Sequence, residues 1–322
     1  MKTDKKIPKF FSFLNSKLKT SPKEIYGYIR THRFQILTAL IACNIFVILG
    51  AMVYKMVAQS WLSIETYGLG FLWNSVWTPI PPTPGESPSF GALPLIWGTL
   101  VTSGMALLLA VPISLGIGLA LSEFSPKRFN YVVSFFVELL AAIPSVVYGL
   151  WGLYILIPFL QHYGLVRGPS VFVAGVILAI MIIPTVAAIS RDVLAAVPNS
   201  QREAITALGA TRWETSRVVV SYARSGVIGS IILGFGRAVG ETMAVTMVIG
   251  NNFNLFTSLF DPGYTLSSII ANEFREASSP PVYISALIEV GLVLFVMALI
   301  INALARLIIW RTLKTVRGAE AV

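Results

Sequence analysis

The stretch Val171–Ala195 reads VFVAGVILAIMIIPTVAAISRDVLA, and it decides the fold class of this chain. The first twenty of these residues carry no charge. A helix rises about 1.5 Å per residue, so about 20 apolar residues cross a hydrocarbon core about 30 Å thick. Lipid provides no partners for open backbone groups, and the stretch lacks the alternation of a barrel strand. The sequence therefore predicts a membrane-spanning helix here.

Five further apolar runs of similar length lie on either side of this stretch. Hydrophobic residues make up 55% of the 322-residue chain and charged residues only 12%, whereas soluble proteins carry about 25% charge. We therefore predict an all-α polytopic membrane protein with six transmembrane helices. The predicted spans lie at about 34–58, 92–121, 130–158, 171–195, 224–250 and 283–310.

The positive charges predict the orientation of these spans. Twenty of the 24 Lys and Arg residues lie in a basic leader, 1–33, in the connections after the second and fourth spans, and near the C terminus. The opposite connections hold only Arg167 and Arg275. The positive-inside rule therefore places both termini in the cytoplasm, with a short cytoplasmic tail at 311–322. On this interpretation the net charge of +9 reflects membrane topology rather than a nucleic-acid surface.

Two segments outside the spans leave alternatives open. The leader 1–33 is too long for a cleaved signal peptide, and it either lies on the inner leaflet or is a disordered tether. The outer connection 59–91 contains Trp61, Trp73 and Trp77. Tryptophans at this place favour an interfacial belt, and docking of an outside partner is the alternative.

The motifs of the common enzyme classes are absent from the sequence. There is no phosphate-binding loop of the G-x-x-x-x-G-K-[ST] type, so no nucleotide site of that kind is expected. His32, His162 and the single cysteine, Cys43, are too few and too scattered for a metal cluster. We therefore expect no catalytic residue, no metal site and no cofactor in this chain.

The connection between the fourth and fifth spans is the most informative polar segment. From Val197 to Gly226 it reads VPNSQREAITALGATRWETSRVVVSYARSG. Ser200 and Glu203 have the spacing of a capping box, and Gly209 is a natural helix stop. A short helix is expected between Ser200 and Gly209, and the next helix is expected to start at Thr211. The connection is thus predicted to be a compact helical elbow.

The Glu203–Ala204 pair followed by Gly209 resembles the EAA loop of ABC importer membrane subunits. The resemblance implies that the loop 197–222 forms a coupling helix that docks in a groove on the ATP-hydrolysing subunit. An ordinary capped helix in a connecting loop is the alternative. Ile205 departs from the usual second alanine, which is a mild change.

A second departure from the EAA pattern lies nearer to the fifth span. Val220 and Ser221 stand where Leu-Pro is usual. The missing proline removes a helix kink, so the bend into the fifth span is expected to differ.

Two further motifs narrow the resemblance to the permeases of the phosphate-specific ABC importer. One is Leu139–Gly152, LLAAIPSVVYGLWG, and the other is Gly236–Thr242, GRAVGET. Tyr148, Trp151 and the long outer connection after span one are similar to the PstC-type subunits of that family rather than the PstA-type. The resemblance covers about 34–310.

This resemblance implies a type I ABC importer permease fold in the bacterial inner membrane. It also implies translocation of inorganic phosphate by a complex. The expected partners are a homologous PstA-type permease, a dimer of ATP-hydrolysing subunits and an extracytoplasmic phosphate-binding protein. The expected coupling residues are Glu203, Ala204 and Gly209.

Arg237 is the charge that topology does not explain, because it lies near the middle of the predicted fifth span. A central arginine costs about 2.5–3.5 kcal/mol on insertion scales and usually faces a water path, a partner or the bundle interior. Glu241, four residues on, lies on the same helical face and is expected to pair with it. The pair either fixes helix packing or forms a gated anion contact. In the second case Arg237 and Glu241 line the translocation path, since an arginine fork suits phosphate oxygens.

Two other functions remain open on the residues alone. One is a permease for another oxyanion or polar solute. The other is an ion-gradient secondary transporter, in which Glu241 and Glu289 would be proton sites. For Glu138 and Glu289 the favoured expectation is structural pairing.

Overall fold

A computed structural model describes residues 33–81, 87–277 and 280–319 of the chain. The regular structure in these ranges is helical. The leader 1–33 lies outside the described residues except for Arg33, so its two interpretations are not tested. The chain divides into two compact units, Met1–Lys55 and Met56–Val322, and the contacts described below lie within the second.

Twelve α-helices are assigned in the described ranges, and two of them continue into π-helical turns at Ala120–Phe124 and Gly152–Leu156. In chain order they are α1 (Arg33–Tyr67), α2 (Gly70–Trp73), α3 (Leu93–Leu119), α4 (Lys127–Ala141), α5 (Ser145–Trp151), α6 (Ile157–His162), α7 (Val171–Ala195), α8 (Asn199–Ala207), α9 (Arg212–Gly240), α10 (Met243–Val248), α11 (Leu266–Glu273) and α12 (Pro281–Ala319).

Six helical segments in the described ranges are long and apolar enough to cross a membrane. The prediction of an all-α protein with six transmembrane helices is therefore confirmed. The six segments are Leu37–Tyr67, Leu93–Phe124, Ser145–His162, Val171–Ala195, Arg212–Gly240 and Pro281–Leu307.

The helix α7 lies at the centre of the core and packs against α3 and α9. Its apolar residues point in all directions because it is enclosed by other helices, and Ile177, Met181 and Ile182 are fully buried. Small residues let α9 approach closely. Ser230 of α9 shares a hydrogen bond of 2.8 Å with Ser190 of α7, so small residues of both helices lie in this contact.

The structure differs from the predicted third span, 130–158. Helix α4 ends at Ala141, and the spanning segment begins only at Ser145. Pro144 is the physical reason, because proline donates no backbone hydrogen bond and disfavours helical geometry in the residue before it. Beyond this break α5, the π-helical turn Gly152–Leu156 and α6 complete the span.

The predicted fifth span, 224–250, also has different boundaries. Helix α9 starts at Arg212, within the elbow, and ends at Gly240. Glu241 and Thr242 are not helical, and the short helix α10 follows. Arg237 therefore lies in the last turn of a long helix rather than in the middle of one.

The start of α12 is fastened to the end of α1 through a serine. The Ser285 hydroxyl accepts a hydrogen bond from the Ser63 backbone N–H at 3.0 Å and donates one to the Gln59 carbonyl at 2.9 Å. A side chain thus enters the hydrogen-bond ladder of α1, which is a recognised cause of a helix kink.

The three tryptophans of the predicted interfacial belt have different environments. Trp61 and Trp73 are exposed, as such a belt requires. Trp77 is instead buried, and its ring contacts those of Phe90 and Tyr283. The belt interpretation is therefore wrong for Trp77, which belongs to an aromatic core beneath the first connection.

Candidate functional site

Arg237 is held by α9 against α7, close to the break at the start of the third span. The side chain is half-buried, and its Nη1 donates a hydrogen bond of 2.8 Å to the Thr185 hydroxyl of α7. The guanidinium also lies within electrostatic range of Tyr148, whose hydroxyl donates to the Leu140 carbonyl at 2.8 Å. We refer to Arg237, Thr185 and Tyr148 as the mid-span site.

Arg237 has no carboxylate within ion-pair distance among the described residues. A guanidinium carries five N–H donors in a planar fork. The one hydrogen bond to Thr185 leaves most of them without a protein acceptor in the described part of the chain. A half-buried cation with open donors is suited to binding an anion.

Glu241 does not pair with Arg237, so the predicted pairing is wrong. The helix ends between them, at Gly240, and the (i, i+4) relation holds only along a continuous helix. The Glu241 carboxylate instead accepts a hydrogen bond of 3.2 Å from the Ala244 backbone N–H at the start of α10. Its carbonyl accepts another, of 2.8 Å, from the Ser267 hydroxyl.

The segment that follows α10 is anchored against span two. The Leu266 backbone N–H donates to the Thr99 hydroxyl at 2.9 Å. Burial raises the pKa of Tyr264 to about 12, so its hydroxyl stays protonated and donates to Glu273 at 3.2 Å. These contacts hold α11 in place and with it Ser267, which fixes the chain direction at Glu241.

The elbow between α7 and α9 has the predicted helix and the predicted stop. Helix α8 ends at Ala207, and Gly209 adopts the left-handed conformation at φ +84°. The predicted capping box at Ser200 and Glu203 is wrong, because α8 already begins at Asn199 and no side chain caps it.

A capping box is present one helix later, at the start of α9. Thr211 N–H donates to the Glu214 carboxylate at 2.8 Å, and Glu214 N–H donates to the Thr211 hydroxyl at 3.4 Å. The second helix of the elbow therefore starts at Thr211, as predicted, and its box fixes the angle at which α9 leaves the elbow.

The predicted coupling residues lie on the outer surface of the elbow. Glu203, Ala204 and Gly209 are all exposed. Beside them Leu208 is 88% exposed and Trp213 is 58% exposed, in a polar segment where water rather than lipid is the expected surroundings. Exposed apolar side chains rimmed by polar ones are typical of a protein-binding surface.

Arg202, on the opposite face of α8, was missed by the sequence analysis. Its guanidinium binds both carboxylate oxygens of Glu123, at 2.8 and 3.2 Å. It also donates to the Leu194 carbonyl at 2.8 Å and to the Val197 carbonyl. No sequence signal links Arg202 to a carboxylate 79 residues away.

Two other carboxylates were expected to have structural partners. Glu138 does, because Arg191 of α7 lies 3.0 Å from it. Glu289 is only 7% exposed, and its Oε2 has no hydrogen-bond partner among the described residues. The pairing expectation is confirmed for Glu138 and stays a prediction for Glu289, whose carboxylate lies beside Ser63. The described residues contain no cluster of three His, Cys, Asp or Glu side chains that would hold a metal ion.

Comparisons with known proteins give close relatives along nearly the whole chain. The phosphate transport system permease protein PstC of Pasteurella multocida is 41% identical over 94% of this chain and 98% of its own length. The PstC protein of Haemophilus influenzae is 42% identical over 88% of this chain and 94% of its own. A probable PstC from Methanocaldococcus jannaschii is 38% identical over 74% and 81%, respectively.

Solved structures of two ABC transporters share the fold. An inward-facing MetNI methionine transporter matches with a TM-score of 0.56 at 19% identity, over 68% of this chain and 94% of that chain. A bacterial transporter involved in the import of alginate matches with a TM-score of 0.56 at 17% identity, over 88% and 98%. The chain thus has the type I ABC importer permease fold.

The family profile that matches covers most of the spanning region. Residues 112–314 match the binding-protein-dependent transport system inner membrane component. Members are membrane components of transport systems and not themselves catalysts. Together with relatives about 40% identical along most of the chain, the match is decisive: this chain belongs to the family of binding-protein-dependent transport system inner membrane components.

Proposed function

We propose that this chain is the membrane-spanning subunit of an ATP-driven importer that carries inorganic phosphate across the inner membrane. The names of its relatives support the substrate, and the family supports the mode of transport. Twenty basic residues on one side of the spans support cytoplasmic termini. Family membership argues against the ion-gradient transporter.

The open guanidinium of Arg237 is the observation that carries the choice of an anion. Phosphate offers oxygen pairs that match the planar fork, and a site partly removed from water strengthens each contact. Thr185 holds one donor, so the fork is already oriented before an anion arrives. Phosphate displaces no carboxylate here, because none of the described carboxylates occupies the fork.

Glu241 has a different role from the gate expected from the sequence. Its carboxylate starts α10 and its carbonyl binds Ser267, so it shapes the path where α9 ends. A carboxylate tied to a backbone N–H also stays away from the phosphate, which limits repulsion between the two anions.

The elbow is the proposed contact with the ATP-hydrolysing subunit. Glu203, Ala204 and Gly209 are exposed on its outer surface, next to Leu208. The full importer contains a homologous permease, two ATP-hydrolysing subunits and an extracytoplasmic phosphate-binding protein. Closure of the ATPase dimer moves the elbow, and the two permeases rock so that the mid-span site opens to one face and then to the other.

Uptake of radiolabelled phosphate tests this function in a strain that carries the chain as its only permease of this type. We expect uptake that depends on the chain and that excess unlabelled phosphate abolishes. Excess sulfate should leave uptake unchanged. Equal inhibition by sulfate would mean that the substrate is a wider class of oxyanions rather than phosphate alone. No uptake at all would refute the proposal.

A further inference from the structure

Among the described residues, Arg202 makes the side-chain hydrogen bonds that leave helix α8. None of its nine residues is fully buried, and Ile205 is its one partly buried apolar residue. Arg202 projects from it and binds Glu123, which lies in the π-helical turn at the end of span two. The same guanidinium binds the carbonyl of Leu194, in the last turn of α7, and that of Val197, two residues beyond its end.

The geometry of this contact is that of a rigid joint. Two parallel N–H···O bonds to one carboxylate fix orientation as well as distance. The last carbonyls of a helix lack the usual partner four residues on, and Arg202 adds a donor to Leu194, whose carbonyl also accepts from the Val197 N–H at 3.2 Å. The side chain of Glu123 is 9% exposed and that of Arg202 is 19% exposed, so water competes little for these bonds.

A second ion pair in the same region provides a contrast. Arg191 of α7 binds Glu138 of α4 at 3.0 Å, but the Glu138 side chain is 60% exposed. Exposed pairs of this kind contribute little. Glu123 is also fixed by a hydrogen bond of 2.8 Å from Ser122, whereas Glu138 has no bond besides that to Arg191 in the described ranges.

We propose that the Glu123–Arg202 ion pair transmits the movement of α8 to spans two and four. The pair touches neither the exposed coupling surface nor the mid-span site. It is a positioning device: it makes α8, the end of α7 and the end of span two move together. The proposal rests on the proposed function, because it takes α8 to be the contact with the ATPase.

The decisive variant removes both charges at once, as Glu123→Gln with Arg202→Gln. No uncompensated charge remains buried, so the complex is expected to assemble. In proteoliposomes we expect ATP hydrolysis to persist while phosphate moved per ATP falls by about fivefold or more. Glu138→Gln is the matched control and should keep the normal ratio. A normal ratio in the double variant would overturn the joint.

A distance measurement separates this proposal from the proposed function. Spin labels at Ser200→Cys, at the start of α8, and Arg128→Cys, directly after span two, are both at exposed positions. They are placed on a Cys43→Ser background in the full complex. We expect one narrow distance distribution with the ion pair present, with and without ATP, and a broad one in the double variant. Distance distributions of equal width in the protein with the ion pair and in the double variant would overturn the proposed role of the pair, whatever the substrate is. A distribution that is narrow with the pair and broad without it, in a complex that takes up no phosphate, would refute only the proposed function.

Discussion

Arg202 and Arg237 are the same residue type in neighbouring helices, and their surroundings are opposite. The Arg202 guanidinium binds both oxygens of a carboxylate and two backbone carbonyls, at and just beyond the end of α7. Arg237 donates one described hydrogen bond, to the neutral hydroxyl of Thr185. Both side chains are partly withdrawn from solvent, so exposure does not separate them.

The number of donors that the protein itself satisfies does separate the two arginines. A guanidinium whose donors are saturated by protein oxygens has a structural use, because binding an anion would require breaking those bonds first. A half-buried guanidinium whose donors lack acceptors is costly to bury, so it gains free energy when an acceptor such as an anion binds. This difference supports the two proposed roles, mechanical transmission for Arg202 and anion binding for Arg237.

Removing the carboxylate partner of Arg202, the arginine whose donors are satisfied by the protein, should have the largest effect on stability. Glu123→Gln leaves the Arg202 charge without its carboxylate. We expect a loss of about 3 kcal/mol, the lower end for a broken buried pair, because Arg202 keeps its carbonyl acceptors. Thermal unfolding of the purified complex measures it. A loss below that of Glu138→Gln would show that the pair is not a fixed contact.

The turn that presents Arg202 depends on Gly209. At φ +84° a side chain is strained, and a Cβ there would meet no other atom, so only the backbone resists the change. Gly209→Ala should therefore cost about 1–2 kcal/mol. Gly236→Ala, in a helix and equally uncrowded, should stabilise by up to about 1 kcal/mol. Equal effects in the two variants would contradict the role given to the turn.

Arg237 is oriented by a single hydroxyl, that of Thr185. The variant Thr185→Val removes this hydroxyl without changing the shape of the side chain. One lost hydrogen bond is worth about 1 kcal/mol, which corresponds to about a fivefold fall in phosphate uptake. Thr66→Val is the control: its hydroxyl is exposed and bonds only within α1, so phosphate uptake should not change. Unchanged uptake in Thr185→Val would mean that Arg237 does not need this contact.

The smallest expected effect belongs to the exposed ion pair. Glu138→Gln should change stability by less than about 1 kcal/mol, and high salt should mask even that difference. Unfolding measured at low and high ionic strength checks it. A large loss of stability that does not depend on salt would show that the Arg191–Glu138 pair contributes as much as the Glu123–Arg202 pair.

The fold was predictable because membrane spans are a property of local composition. An apolar run such as Val171–Ala195 needs no knowledge of its neighbours to be recognised as a helix of sufficient length. The boundaries failed where a single residue interrupts the run. Pro144 splits the predicted third span, and the break after Gly240 ends the fifth early.

The candidate site was only partly predictable, because its contacts join distant parts of the chain. Arg237 was identified from its position in an apolar run, which is a local signal. Its hydrogen bond to Thr185 and the contact between Arg202 and Glu123 depend on how spans pack. The expected Arg237–Glu241 pair failed because spacing predicts a contact only while the helix continues.

Phosphate uptake by Arg237→Gln is the most direct test of the difference between the two arginines. Glutamine keeps hydrogen-bonding capacity for Thr185 but removes the charge and the fork, and Arg275→Gln, at an exposed position, is the matched control. The account predicts that the complex assembles normally while uptake falls by about 10- to 100-fold, the cost of losing charge-assisted hydrogen bonds. Uptake at the wild-type level in an assembled Arg237→Gln complex would contradict it.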